Sequence, residues 1–263
     1  MQRSSRVDYD AIAPLYDSQP HRDKAPDPEL AAFIAERGRT GGLSILDIAC
    51  GTGNQLVADR ALAPEARMVG VDGSLGMLRQ ARTKAGGIAW AQGDSAALPF
   101  AAGVFDFASC QYAFHHFRDK AGMVREAFRA LRPGGRFALY NMCPHESRDW
   151  LYYDYFPAAL TRDLADFWSP ETIVSEMCAA GFGDVTAKYD HVRADRALGE
   201  FLEGLRRRDR NSQLLTLSDD AYDAGLRRLA RELEDPAAPD VRPDHLCFVT
   251  IRGDKPPNPR RTT

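Results

Sequence analysis

No two cysteines of this 263-residue chain lie close enough in sequence to form a C-x-x-C pair. The five present, Cys50, Cys110, Cys143, Cys178 and Cys247, are odd in number and widely spaced. That excludes a disulfide framework and a zinc knuckle and points to a reducing compartment. The opening residues MQRSSRVDYD lack the apolar stretch of a secretory signal, and no apolar run is long enough to cross a bilayer. Excess positive charge is absent too: the net charge is -3, so no global basic field draws the chain onto nucleic acid. Its one basic run, Arg206-Arg207-Arg208-Asp209-Arg210, falls in a helical stretch and reads as a solvated face. No internal repeat is visible, and no His, Cys or carboxylate cluster has the spacing of metal ligands, so no metal is expected. With 44% hydrophobic residues the chain has the makings of an ordinary core, and a cytoplasmic globular protein is the expectation.

What is present is an alternation of strand and helix signals from about Leu43 to Met142. Leu43 to Ala49 is an apolar run broken only by Ser44 and Asp47. Asn54 to Ala63 reads as a helix stopped by Pro64, and Met68 to Val71 as a second strand. Ser74 caps the following helix, which reaches Gly86-Gly87. Strands over Ile88 to Ala91 and Val104 to Cys110 follow, then a helix from Asp119 to Leu131. Pro133-Gly134-Gly135 reads as a turn into a strand from Arg136 to Met142. Strands separated by helices require a parallel sheet covered on both faces. Pro144 to Ser169 reads as an irregular stretch dense in aromatic rings. Beyond it come a helix from Pro170 to Ala180, a strand from Phe182 to Tyr189, helices near Ala194 to Arg208 and Ser218 to Glu234, a proline-rich loop, and a last strand from His245 to Arg252. The tail GDKPPNPRRTT reads as disordered.

The tip of the first strand, ACGTGN, joins two glycines to a buried carboxylate. Gly51 and Gly53 let backbone approach a ligand, and the helix beginning near Asn54 turns its free amides the same way. Asp72 falls 19 positions after Gly53 at a strand end, where a carboxylate accepts the hydroxyls of a ribose. A dinucleotide fingerprint would place a third small residue three positions after Gly53, and Leu56 stands there. Asp47 repels a diphosphate at that tip and attracts an ammonium. The residues therefore favour a nucleoside with a cationic or zwitterionic end.

These segments resemble the class I S-adenosylmethionine-dependent methyltransferases, in the branch that includes small-molecule and quinone-biosynthesis enzymes. "LDIACGTGN" (Leu46 to Asn54) matches the family's first motif, with Ala49 where a first glycine often stands. "VGVDGSLGML", "GDSAALPF", "FDFASCQYAFHHF" and "LRPGGRFAL" match the next four motifs in order, and "YDAIAPLYDS" (Tyr9 to Ser18) resembles the lid helix. The resemblance implies an α/β, Rossmann-like three-layer sandwich with a seven-stranded, mostly parallel sheet and an antiparallel last strand. It implies a single domain over residues 1–255, with a lid segment at 1–30, a substrate-pocket insertion at 144–170 and a tail at 256–263. It implies S-adenosyl-L-methionine as cofactor: Asp47 and Gly51 to Gly53 flank the methionine moiety, with Ala49, Cys50 and Asn54 of the same motif among the cofactor-binding positions, Asp72 takes the ribose, Gly73 and Met77 pack on adenine, Asp94 and Ser95 face its edge, and Gln111 lines the path to the methyl group.

Other residues stay between a functional and a structural role. Cys50 fits a packed small residue better than a nucleophile, since nothing nearby lowers its pKa. His115 and His116 lie just past the fourth strand, and either is a candidate general base. Tyr9 and Tyr16 suit rings closing over the cofactor. Trp150, Tyr152, Tyr153, Tyr155 and Trp168 suit an apolar substrate pocket. The expected reaction is methyl transfer to a small aromatic or apolar acceptor, at oxygen or nitrogen. Alternatives are another use of the same cofactor, a non-catalytic cofactor-binding module, or an NAD(P)-dependent oxidoreductase, which Leu56 and Asp47 oppose. The expected partner is the small acceptor, with neither nucleic acid nor membrane; a homodimer stays open.

Overall fold

In a computed structural model, residues 7–18, 22–38, 41–84, 86–208 and 212–258 are described. Part of the expected lid (1–6, 19–21), of the basic run (209–210) and of the tail (259–263) lies outside them. In chain order the elements are helices α1 (Tyr9–Tyr16) and α2 (Pro28–Arg37), strand β1 (Ser44–Ile48), α3 (Asn54–Asp59), β2 (Arg67–Asp72), α4 (Leu75–Ala81), β3 (Ile88–Gln92) and β4 (Phe105–Gln111). A 3-10 turn (Phe114–His116), α5 (Lys120–Ala130), β5 (Leu131–Met142), α6 (Leu151–Tyr155), α7 (Pro157–Asp166) and α8 (Pro170–Ala180) come next. Then follow β6 (Gly183–Ala197), α9 (Leu198–Leu205), α10 (Ser212–Leu215), α11 (Asp219–Glu234) and β7 (Val241–Asp254).

The seven strands form one sheet in the order β3-β2-β1-β4-β5-β7-β6. β1 to β5 pair in parallel, and β7 is antiparallel to both of its neighbours, as the resemblance implied. Strand order reverses between β1 and β4, which leaves a crevice beyond their carboxyl ends where ligands of open α/β sheets bind. All five residues of β1 are buried, Asp47 among them. A strand covered on both faces has no polar side, so its one acid is held away from bulk solvent.

Close contacts gather the chain into two compact units. The larger comprises Tyr9–Asn141, Pro170–Lys188 and the chain from Val249; the smaller comprises, among the described residues, 7–8, Met142–Ser169 and Tyr189–Phe248. In the larger unit Leu30, Phe33, Ile45, Leu56, Met68 and Phe107 build a core under α2 and α3. Arg136, buried in this unit, is neutralised by Glu36 and Asp254, each at 2.7 Å. In the smaller unit Trp150, Tyr153, Tyr155 and Phe156 pack with Leu198, Phe201 and Leu229.

Several boundaries differ from the sequence reading, each for a local reason. α3 stops at Asp59 rather than Ala63, because Ala61 and Leu62 turn to i−3 carbonyls. α4 ends at Ala81, short of Gly86-Gly87. Pro133-Gly134-Gly135 lies inside β5 rather than in a turn: Gly134 N–H donates to the Lys255 carbonyl and Lys255 N–H to the Gly135 carbonyl, both at 2.7 Å. The ring-rich stretch is not irregular but holds α6 and α7, and Pro157 occupies the first turn of α7, where its missing N–H costs nothing. β6 continues to Ala197 through residues expected to begin a helix, and β7 starts at Val241, within the expected proline-rich loop.

Candidate active site

The chain leaves β1 through Ala49, whose φ of 59° is the left-handed conformation a glycine adopts without strain. Cys50 N–H donates to the Val71 carbonyl at 3.0 Å, tying the loop to β2. Gly53 has φ 80°, and a Cβ there would stand 2.3 Å from the Trp90 ring. Only glycine fits this packing. Gly51 N–H donates to Asp72 Oδ2 and Ser74 N–H to Asp72 Oδ1, each at 2.8 Å. The Gly73 amide adds a third backbone donor, so of about four acceptor positions on the carboxylate one remains. Burial raises the Asp72 pKa, and the backbone donors oppose that rise.

Asp47 is buried with one long hydrogen bond, from Ser109 Oγ at 3.4 Å. Burial, and then the charges of Asp59 and Asp27, push its pKa well above the carboxylate range, while Lys24 pulls it down. Asp27 caps α2, accepting from the Glu29 and Leu30 amides, and its second oxygen accepts from Gln111 Nε2 at 3.1 Å. Asp59 Oδ1 accepts from the Asp27 amide and from Gln55 Nε2, and burial raises its pKa to about 6. Three acids thus converge under the tips of β1 and β4.

A cleft of about 70 Å³ opens above them. Of the residues expected at a cofactor, Tyr16, Asp47, Ala49, Cys50, Gly51, Asn54 and Gln111 line it. Arg22, Lys24, Thr52, Gln55 and Tyr112 line it too; Thr52 and Tyr112 lie inside the matched motifs, whereas Arg22, Lys24 and Gln55 carried no sequence signal. Tyr9, Gly53, Asp72, Gly73, Met77, Asp94 and Ser95 are not on its wall. Met77 is buried in the packing of α4, Gly73 accepts from Gln92 Nε2, and Asp94 accepts from the Ala96 amide on an exposed turn with Ser95. Cys50 is buried, and burial raises its thiol pKa well above normal, which suits packing and not nucleophilic attack.

Helix α1 lies on α4 and is fastened at both ends. Asp10 accepts from Ser74 Oγ at 2.8 Å and from the Gly76 amide at 2.6 Å; those donors hold its pKa low. Just past the helix, Asp17 accepts from Thr52 Oγ1 at 2.6 Å and Asn54 Nδ2 at 3.0 Å, and pairs with Lys84. Arg22 donates to the Tyr16 hydroxyl and stacks on its ring. Tyr9 lies with its hydroxyl 2.7 Å from His116 Nε2, and burial raises its pKa. His115 lies beside His116 with ring centroids 3.8 Å apart and the planes tilted by 45°. Burial, then the His116 charge, holds His115 neutral, against a bond to Asn141.

The five expected substrate rings all lie in the smaller unit. Trp150, Tyr153 and Tyr155 belong to its core, and Tyr152 stacks on Trp150 at 4.3 Å. Tyr153 donates to Asp163 at 2.8 Å and Tyr155 to Glu232 at 2.9 Å. Trp168 is half-buried past the end of α7.

Among the described residues no group of three potential ligands gathers to hold a metal, and no helix is long and apolar enough to cross a membrane. The site does suit a zwitterionic nucleoside. A buried acid with one long hydrogen bond lines the cleft with the glycine loop, and a second acid at the neighbouring strand end, held by three backbone amides, keeps an acceptor position.

Comparison with known proteins agrees. Residues 45–135 match the family model described as a methyltransferase domain. The demethylmenaquinone methyltransferase of Lactococcus lactis is 33% identical over 135 residues, covering 49% of this chain and 52% of that protein. The ubiquinone/menaquinone biosynthesis C-methyltransferase of Desulfotalea psychrophila is 30% identical over 203 residues, covering 68% and 82%. The chain thus spans about half the length of the first relative and most of the second. Among solved structures, phosphoethanolamine N-methyltransferase 2 of Haemonchus contortus, in complex with S-adenosyl-L-methionine, superposes with a TM-score of 0.58 at 21% identity, covering 97% of this chain and 58% of that one. From the motif order, the aimed acids and these relatives, the chain belongs to the class I S-adenosylmethionine-dependent methyltransferases of the quinone-biosynthesis type.

Proposed function

We propose that this protein methylates a small, ring-bearing, quinone-like acceptor. The observation that carries the reading is the pair of acids at adjacent strand tips, Asp47 with spare acceptor capacity and Asp72 held by the amides of Gly51, Gly73 and Ser74. When bound, S-adenosylmethionine supplies a methyl group already activated on a sulfonium. Asp47 would hold its ammonium and Asp72 its ribose hydroxyls; Gly51 and Gly53 admit the chain of the amino acid end. Gly73, Met77, Asp94 and Ser95 would border the adenine. The protein's main task is then alignment and exclusion of water, which supply about 7–11 kcal/mol of barrier reduction.

An acceptor hydroxyl must also lose its proton. The pair Tyr9 and His116 is arranged for that: with His116 Nε2 unprotonated, Tyr9 donates to it across 2.7 Å, and a proton arriving at the hydroxyl passes to the imidazole. His115, held neutral and bonded to Asn141, fixes the neighbouring ring and does not compete for the proton. The name of the D. psychrophila relative specifies transfer to carbon, so a ring carbon joins oxygen and nitrogen as the acceptor atom. A phenolate adjacent to that carbon makes it nucleophilic, which gives the same role to the same pair. The reading places the enzyme in the cytoplasm, where its free cysteines stay reduced.

The test is calorimetric titration with S-adenosylhomocysteine, followed by incubation with methyl-labelled cofactor and a demethylated naphthoquinol. Label in the quinol supports the reading. Cofactor breakdown without label transfer replaces methyl transfer with another use of the cofactor, and absence of binding removes it altogether.

A further inference from the structure

The smaller unit carries a pair of imidazoles that the proposed function does not use. His191 stands on β6, the edge strand, and His245 on the neighbouring strand β7. Nδ1 of His191 lies 3.0 Å from Nε2 of His245, and the two rings stack with centroids 5.2 Å apart and planes tilted by 29°. The other ring nitrogen of His245, Nδ1, lies 2.7 Å from Oδ1 of Asp149. Tyr189 in turn stacks on His191 with the planes tilted by 21°. His191 and Asp149 are exposed, whereas His245 is buried.

The hydrogens of this chain follow from its acid end. An ionised carboxylate only accepts, so His245 Nδ1 carries a hydrogen and donates it to Asp149. In the neutral ring Nε2 is then bare, and it accepts from His191 Nδ1. One hydrogen thus sits between two nitrogens whose separation is also that of two ligands on one metal ion. Imidazole nitrogens about 2.0–2.1 Å from a shared ion stand about 2.8–3.0 Å apart when they meet at right angles, and about 3.3–3.4 Å apart at a tetrahedral angle. The observed 3.0 Å is the right-angle value, that of a tetragonal ion such as Cu2+ or Ni2+. His245 also has the partner that metal-ligating histidines almost always have. Its second nitrogen donates to a carboxylate, which fixes the tautomer, orients the ring and offsets part of the ion's charge.

We propose that His191 and His245 form a two-imidazole site for a tetragonal divalent transition-metal ion. Asp149 is its positioning residue, and water, admitted by the exposure of His191, fills the remaining positions. The ion takes the place of the hydrogen between the rings, and His191 carries its hydrogen on Nε2 instead, so the neutral ring keeps its proton count. Bound there, the ion ties the edge strand to β7. The two ligands lie 54 positions apart, which is why no ligand spacing shows in the sequence. The site shares no residue with the cleft at the tips of β1 and β4, and it stands whether or not the methyltransferase reading does.

The experiment titrates the full chain with Ni2+ by calorimetry, and with Cu2+ under electron paramagnetic resonance, for the wild type, His191→Gln and Asp149→Asn. The wild type should bind Ni2+ at one site, and its Cu2+ spectrum should be axial with coupling to two nitrogens. Asp149→Asn should weaken Ni2+ about tenfold, the effect of losing a charged partner behind a ligand. His191→Gln should weaken it by more and leave one coupled nitrogen. Saturating Ni2+ should raise the melting temperature of the wild type and leave that of His191→Gln where it was. Both substituted side chains are exposed, and circular dichroism without metal checks that the variants are folded. If Ni2+ binds the wild type and His191→Gln alike, or the wild-type Cu2+ spectrum shows fewer than two nitrogens, the pair is a cross-strand hydrogen bond and not a metal site.

Discussion

Both compact units bury aspartates, but they use them in opposite ways. In the smaller unit Asp244 is buried with its two oxygens occupied, one by the Leu151 amide at 3.0 Å and one by Arg196 at 2.8 Å. Asp163, also buried there, accepts from the Tyr153 hydroxyl and is bonded to Gln213. In the larger unit Asp47 has one long hydrogen bond, and Asp72 is held by backbone amides alone, those of Gly51, Gly73 and Ser74. Burial of a carboxylate is thus a poor marker of function. What separates the two sets is place: Asp47 and Asp72 stand at adjacent strand tips at the edge of a sheet crevice.

The sharpest way to break this comparison is to remove the acid at the tip of β2. Asp72→Ala should weaken S-adenosylhomocysteine more than tenfold, toward about a hundredfold, because two hydroxyls lose a charged acceptor and the loop amides of Gly51 and Ser74 lose theirs. Calorimetry reads the change, and an unaltered affinity would take the ribose away from Asp72.

Next in size is the opposite substitution. Asp244→Ala strands the buried Leu151 amide at the start of α6 and should lower stability by about 1–3 kcal/mol. The ion pair with the half-exposed Arg196 adds little to that figure. Chemical denaturation measures the loss, and cofactor affinity should stay at the wild-type value. A fall in affinity instead would show that the smaller unit's acids are not purely structural.

Which of these acids was visible beforehand depends on how local its partners are. Asp47 and Asp72 stood out because each ends an apolar run, and Ser74 was readable as a cap three residues before the Met77 amide it accepts from. The glycine loop was equally local, down to Ala49 in a glycine-like conformation. Lys24 and Arg22 sit in a charged linker with no period, so nothing in their neighbourhood marks them. The partnership of Tyr9 and His116 spans 107 positions, and each residue was legible singly but the pair was not. Pro133-Gly134-Gly135 carried the composition of a turn, but pairing with Lys255, far along the chain, kept it in the strand. The rings from Trp150 to Tyr155 had the composition of a pocket; three of them form a core because α6 presents them to Leu198, Phe201 and Leu229.

A titration sharpens the contrast further. An aspartate in the unfolded chain titrates near 3.9, roughly, whereas burial raises Asp163 to about 7. Between those values the folded protein keeps a proton that the unfolded chain has released. Stability should therefore fall as pH rises from about 4 to 7, with the contribution of Asp163 complete below that window and lost above it. The slope from this one group is at most about 1.4 kcal/mol per pH unit. Asp163→Asn, which still accepts from Tyr153, should flatten it. Denaturation curves for both proteins at matched pH values give the difference directly, and equal slopes would mean that Asp163 titrates normally in the fold.

The smallest expected effect concerns the acceptor side of the larger unit. Tyr9→Phe removes one hydrogen bond of 2.7 Å to His116 and leaves the ring that packs edge-on against it. The loss is about 1 kcal/mol, or roughly fivefold, and it should fall on turnover, not on cofactor affinity. His116→Ala should likewise spare cofactor binding and lower turnover by more, since the proton then has no imidazole to reach. A purely structural role for the pair would shift stability in both variants and leave the pH profile of turnover unmoved. A role in proton transfer moves the acid limb of that profile in Tyr9→Phe, because the hydroxyl no longer biases the His116 proton, and abolishes that limb in His116→Ala. If the Ala variant instead loses cofactor binding, His116 belongs with Asp47 and Asp72, and the division between acids that hold the cofactor and a base that serves the acceptor does not hold.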